Sequence, residues 1–199
     1  GVRVEVLAPS EEARLIGLAA ARYFQMRKGA VLNIDIGGGS TELSLVSNDG
    51  APRKLFSMRV GAVGLTEKYL SSNPPGDAEI AAARKEIKLA LETPARELGD
   101  EAWQLATGTS GTILNLASLL NPAEKYDAGG GGEIELEKLV ALNRRLARMT
   151  IEQRVALRPH QPGISPSRAQ VIVAGGLILE AVMQALKIPA LRPCLYALR

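Results

Sequence analysis

The 199-residue chain has one cysteine, one histidine, one tryptophan and two phenylalanines. A single thiol, Cys194, excludes an internal disulfide framework. Without a His/Cys cluster, structural zinc is excluded too, and a cytoplasmic protein is the default expectation. An excess of one charge is lacking as well: 24 Lys and Arg against 21 Asp and Glu leave +3. That balance suits an anionic small ligand but offers no concentrated basic stripe for DNA. Long hydrophobic runs are missing. The longest, Val171 to Leu186, holds Glu180 and Gln184, falls short of the about 20 residues a bilayer demands, and reads as a buried helix rather than a membrane span. No secretory leader is visible, since Gly1 to Leu7 alternates like a strand. What is present is 46% apolar side chains, 20 Gly and 11 Pro, enough for one sizeable globular domain. The chain has no initiator Met and stops at Arg199 just after a strand-like run, so both ends read as cuts in a longer protein.

Along the chain, Ser10 is a candidate N-cap for a helix with Glu11 and Glu12 in its first turn, where acids favour the dipole. Its apolar face would be Ala13, Ile16, Leu18, Ala20 and Tyr23. Val31–Ile36, Thr41–Val46 and Lys54–Val60 read as strands, the last two joined by the Asn48-Asp49-Gly50 turn. Helices follow at Leu65–Leu70 and from Ala78 to about Leu91, the latter capped by Asp77. A strand from Trp103 to Thr107 leads through Gly108-Thr109-Ser110-Gly111 into a helix over Thr112–Leu120. Gly129 to Gly132 mark a surface loop. Helices over about 136–148, 151–157 and 167–187 precede a last strand, Ala190–Leu195. The order indicates an α/β or α+β layered fold without internal repeats.

Three segments could carry chemistry. In Ile34-Asp35-Ile36-Gly37-Gly38-Gly39-Ser40-Thr41-Glu42, three glycines between strands let backbone N–H groups approach an anion, with hydroxyls adjacent. Asp35 and Glu42 flank that turn, a combination suited to Mg²⁺ and phosphate. A strand follows the glycines, which argues against a dinucleotide fingerprint, and no glycine loop ends in Gly-Lys-Ser/Thr. Gly108-Thr109-Ser110-Gly111 opens a helix and so offers a second anion site. Glu11-Glu12-Ala13-Arg14 is the third, readable also as plain dipole complements on a solvated face. His160, Cys194, Trp103 and the Arg144, Arg145, Arg148 cluster read as a loop residue, a buried thiol, a strand opener and a solvated basic face.

The string Ser10-Glu11-Glu12-Ala13-Arg14-Leu15-Ile16, ahead of Asp35-Ile36-Gly37-Gly38-Gly39-Ser40-Thr41-Glu42-Leu43, resembles the Ppx/GppA family of exopolyphosphatases and guanosine pentaphosphate phosphohydrolases. The likeness continues through Gly61-Ala62-Val63, Ala106 to Thr112, Arg168-Ala169 and the glycine-bearing run to Leu179, and so spans essentially the whole chain. It implies an α/β, ribonuclease H-like lobe of the actin-like ATPase and sugar kinase superfamily, with a mixed sheet flanked by helices. Residues 1–28 would be the end of a first lobe and a connecting helix, and 29–199 the second lobe. The first lobe and a C-terminal continuation would lie outside this chain. By resemblance Glu12 is the catalytic base, Asp35 and Glu42 hold Mg²⁺ and the attacking water, and Gly37, Gly38, Gly39, Ser40, Gly108, Thr109, Ser110 and Gly111 bind phosphate. Departures stand at Gly64, where Arg is frequent, at Gln170, where an acid is common, and at Ala174, where Pro is frequent.

The implied activity is release of terminal phosphate from polyphosphate or pppGpp. Two alternatives are a non-catalytic sensor of (p)ppGpp or polyphosphate and a kinase of the same superfamily. The expected partners are that anionic ligand, the missing first lobe and a second copy in a homodimer. A phosphate chain must be gripped from both sides of a cleft, so the 199 residues alone are expected to be inactive.

Overall fold

A computed structural model describes residues 9–24, 28–49, 51–122, 132–157 and 164–195. The proposed opening strand, His160 and most of the Gly129–Gly132 connector lie outside them. The elements run α1 (Pro9–Tyr23), β1 (Ala30–Ile36), β2 (Thr41–Ser47), β3 (Pro52–Met58), α2 (Ala62–Tyr69), α3 (Asp77–Leu98), β4 (Leu105–Thr109), α4 (Ser110–Leu120), β5 (Ile134–Glu135), α5 (Leu136–Ala147), α6 (Ile151–Val155), α7 (Pro166–Ala185) and β6 (Ala190–Pro193). The sheet order is β3-β2-β1-β4-β6-β5. β1, β2 and β3 form an antiparallel meander, while β4 joins β1, and β6 joins β4, in parallel. This mixed sheet flanked by helices is the expected ribonuclease H-like arrangement.

Alternation along the strands divides the sheet into two unlike faces. Leu32, Ile34, Ile36, Leu43 and Leu45 point into the main core with α7 and the other C-terminal helices. Val31, Asn33 and Asp35 on β1, with Glu42, Ser44 and Val46 on β2, make the opposite face, and α1 lies against it. Ala20 and Ala21 pack there on Val31 and Val46, and the Ala13 carbonyl accepts from the Ser44 hydroxyl at 2.7 Å. Gly17 is needed at this seam, because a Cβ would stand 2.8 Å from Val46 Cγ1. The buried stripe of α1 is therefore Ala13, Ile16, Gly17, Ala20 and Ala21, with Leu18 half-buried instead.

Local chemistry explains most boundaries and several departures from expectation. α7 starts at Pro166, behind Ser165, whose hydroxyl accepts from the Arg168 N–H, as Pro at the first helical position favours. α6 starts behind Thr150, which accepts from the Gln153 N–H while Gln153 reaches back. Ser10 is a helical residue of α1, not its cap. Gly76, not Asp77, precedes α3; the Glu79 carboxylate there accepts from the N–H groups of Gly76, Ser71 and Ser72 and from the Ser71 hydroxyl. These donors draw its pKa down to about 2, the Gly76 N–H contributing most. α3 also runs seven residues past Leu91 to Leu98, through Pro94. Burial of Pro94 and Leu98 against the core overrides the breaking tendency of proline. β4 begins at Leu105 rather than Trp103, and β5 is a two-residue strand whose signal is too short to read in sequence. α7 is long and apolar enough to cross a membrane, but 67% of its apolar window is buried inside the fold. Gly175 and Gly176 let Thr112 of α4 and Asn143 of α5 come against its backbone.

Candidate active site

The C-terminal end of β1 gathers most of the residues singled out from the sequence. Register makes Ser57, Glu42, Asp35 and Thr109 successive cross-strand partners on β3, β2, β1 and β4. The two carboxylates thus stand side by side on the face that α1 covers. Asp35 is 9% and Glu42 4% exposed, burial that a carboxylate accepts only with partners. The Ser57 hydroxyl donates to Glu42 Oε1 at 2.9 Å, which leaves Oε2 without a hydrogen bond among the described residues. Because Ala13 is level with Ser44 and Ala20 with Val31, α1 presents its N-terminal turn to this end of the sheet. The Glu12 backbone follows directly. Glu11 is engaged elsewhere, in a two-pronged pair with Arg14 at 2.7 and 2.8 Å, and the Arg14 hydrogen bonds hold its carboxyl below the usual range.

Beyond Asp35 the chain turns through Gly37–Ser40, closed by Gly37 N–H donating to Ser40 O. The turn is seated on the N-terminus of α2: Ala62 N–H donates to Gly37 O, and the Val63 and Gly64 N–H groups donate to Gly38 O, at 2.9 to 3.1 Å. A trans peptide sets its N–H opposite its C=O. With the Gly37 and Gly38 carbonyls drawn toward α2, the N–H groups of Gly38 and Gly39 point away from it, and neither makes a backbone hydrogen bond among the described residues. Both glycines are exposed, and a Cβ on Gly39 would meet nothing within 4 Å. The result is a pair of outward donors beside two buried acids, the concavity in which an anion fits.

The second glycine segment is split between two roles. Gly108 lies within β4, where a Cβ would stand 2.8 Å from both Ile113 and Leu191, so this glycine serves the core. Thr109 ends the strand next to Asp35. Ser110 opens α4 with φ at +89°, a backbone conformation a serine holds at a cost of about 1–3 kcal/mol. The Arg168 guanidinium, from the first turn of α7, lies over Gly111 in the space a side chain would need. It makes no hydrogen bond or ion pair among the described residues and lies beside the α4 N-terminus. Arg168 stands 57 residues from Gly111, and in the sequence only the Arg168-Ala169 likeness points to it. The Ser57 contact to Glu42 was also missed. Counting from the Asn48-Asp49 turn would pair Glu42 with Phe56, and an irregularity between Leu45 and Val46 shifts the register by one.

Among the described residues no group of three His, Cys, Asp or Glu side chains converges, so these residues form no all-protein metal cage. Two adjacent carboxylates do fit Mg²⁺, which takes one or two carboxylates and completes its shell with water and substrate phosphate.

Fold and site together define a lobe of the actin-like ATPase class, with a glycine turn and an acid pair at one end of its inner strands. The Ppx/GppA phosphatase family model matches residues 1–199, and the chain belongs to that family. It is similar to exopolyphosphatase 1 of Mycobacterium tuberculosis, 36% identical over an alignment taking in all of this chain and 57% of that protein. Its likeness to exopolyphosphatase 1 of Mycobacterium leprae is 38%, over all of this chain and 58% of that one. The solved Ppx/GppA enzyme of Aquifex aeolicus superposes with a TM-score of 0.85 at 26% identity, covering 100% of this chain and 64% of that structure. The chain thus spans somewhat over half the length of the curated relatives it matches.

Proposed function

We propose that the protein containing this chain is a phosphohydrolase that removes the terminal phosphate of inorganic polyphosphate. The observation that carries the reading is the orientation of the Gly38 and Gly39 N–H groups into open space beside the Asp35–Glu42 pair. It is supported by the names of the curated relatives. In this reading the two N–H groups, Ser40 and the α4 N-terminus with Ser110, Gly111 and Arg168 hold the terminal phosphoryl oxygens. Asp35 and Glu42 would hold Mg²⁺, which neutralises phosphate charge when bound. Glu12 takes the proton of a water whose oxygen bonds to the terminal phosphorus, while the bond from that phosphorus to the bridging oxygen breaks and the electron pair leaves with the shortened chain. Positioning and charge neutralisation supply most of the acceleration, and a general base adds about 10²- to 10⁴-fold. In this account residues 29–199 are one wall of a cleft, and a first lobe outside this chain is the other.

The test is phosphate release by the full-length protein from polyphosphate and, in parallel, from pppGpp. Glu12→Gln is expected to reduce turnover at least 10²-fold with substrate binding retained. Release unaffected by that change would refute the role of Glu12. Binding of either compound without release from the unaltered protein would favour a sensor.

A further inference from the structure

We infer that a cavity in the helical layer, lined by Arg84, Arg144 and Arg148, is a second anion site that grips phosphates of a polyphosphate chain away from its reacting end. This rests on the phosphohydrolase reading above and adds a site to it. The cavity holds about 360 Å³ between α3, α5 and α7, and one acid, Asp77, shares its wall with the three arginines. Arg144 and Arg148 stand four residues apart on α5 and so project from one face, where like charges repel. Both are exposed, and neither guanidinium has a hydrogen bond or ion pair among the described residues. Arg84 is held differently. Its Nη1 donates to Glu180 Oε1 at 2.8 Å, and the other oxygen of that carboxylate accepts from Asn143 Nδ2 at 2.8 Å. Glu180 is 3% exposed within the apolar helix α7, where a carboxylate is costly and an apolar side chain would serve the core as well. What the acid supplies there is a fixed arginine at the cavity wall.

A phosphate chain matches this lining and can reach it. Guanidinium forks bind phosphate oxygens through paired, charge-assisted hydrogen bonds, and an anion between Arg144 and Arg148 offsets their repulsion. Pro75 on the cavity wall also lines a groove of about 390 Å³ beside α2 and the first turns of α7. Val63 lines the same groove and is the side chain that a Cβ on Gly38 would meet, at 3.3 Å. The glycine turn, the groove and the cavity are therefore contiguous. Within the groove the acid Glu67 offsets the buried Arg154, so the surplus of cations comes at the cavity. Along α7, Leu177 of the cavity lies nine residues beyond Arg168, a rise of about 14 Å. Tripolyphosphate with its end on the glycine turn falls short of that span. A longer chain is held at both places, and its second attachment is intramolecular, which tightens the whole.

The test uses the full-length protein, with kcat and KM read for long-chain polyphosphate and for tripolyphosphate alongside thermal unfolding. Arg144→Ala combined with Arg148→Ala is expected to raise KM for the long chain about tenfold or more with kcat changed less than about twofold, the mark of lost uniform binding. KM for tripolyphosphate and the unfolding midpoint are expected to stay as they are, since both side chains are exposed. Equilibrium binding of the long chain, measured in a Glu12→Gln background to hold turnover down, is expected to weaken by the same factor. An unchanged long-chain KM would overturn the inference and leave the phosphohydrolase reading intact. So would an equal rise for both substrates, which would mark a site for free short anions rather than for the tail of the chain. An unaltered protein that releases no phosphate would overturn the phosphohydrolase reading instead. The binding measurement then judges the arginines by themselves, and long-chain binding that survives their loss would overturn the site as well.

Discussion

Gly61 and Gly39 lie on opposite sides of one turn, and replacing each by alanine separates the fold of that turn from its use. A Cβ on Gly61 would come within 2.5 Å of Gly38 C and Ser40 N, and closer still to Gly38 O. All three are backbone atoms, so no side-chain rotation relieves the overlap. The turn must lift from α2, which threatens the Ala62-to-Gly37 and Val63-to-Gly38 hydrogen bonds, both 2.9 Å. Overpacking costs about 1–3 kcal/mol and each lost hydrogen bond about 0.5–1.5 kcal/mol, so Gly61→Ala is expected to destabilise by about 2–6 kcal/mol. Gly39→Ala meets nothing within 4 Å, and Gly39 has no positive φ to lose. Its effect on stability should stay within about 0.5 kcal/mol. Yet a methyl group there projects beside the outward N–H groups, and phosphate release should fall about tenfold or more. Urea unfolding followed by circular dichroism, with phosphate release at saturating polyphosphate, measures both. A Gly39→Ala protein with full activity would refute the placement of phosphate on this turn. A Gly61→Ala protein of unchanged stability would refute the steric argument.

Two other perturbations test the frame around the site. The Glu79 carboxyl is drawn down to about 2 from 4.5 by the N–H groups and hydroxyl it receives, so its stabilising effect is complete above about pH 4.5 and is lost as pH falls toward 2. Glu79→Gln should therefore lower the unfolding midpoint at neutral pH and converge with the unaltered protein near pH 2; an equal difference at both pH values would contradict the linkage. Arg154 is 3% exposed and donates to the carbonyls of Leu146 and Ala169, with burial holding its pKa below the usual value. Arg154→Leu removes one donor from each carbonyl, Leu146 O keeping the Met149 N–H, and should destabilise by about 1–3 kcal/mol at about 0.5–1.5 kcal/mol per hydrogen bond, read from urea midpoints. A change under 1 kcal/mol would mean that water replaces the guanidinium.

What the sequence alone determined here was local and periodic. Alternation over 31–36 and 41–46, the Asn-Asp-Gly turn and the glycine triplet define a hairpin whose tip is polar, and the two acids follow from their position at its end. Ser165 before α7, and Thr150 with Gln153 at α6, define those starts by hydrogen bonds within four residues, and Pro166 opens α7 with its fixed φ. The motif likeness carried the family. Tertiary structure decided what depends on register and on contacts distant in sequence. The irregularity near Leu45 moves Ser57 opposite Glu42, and packing against the core carries α3 through Pro94. Gly108 turns out to face Ile113 and Leu191, although beside a serine and a threonine it reads like part of a phosphate loop. Arg168 reaches Gly111, and α2 turns the Gly37 and Gly38 carbonyls away from the site, because the sheet and α7 bring segments far apart in the chain together. A sequence states which groups exist and how neighbours pair. Only the folded sheet fixes which way a peptide plane points.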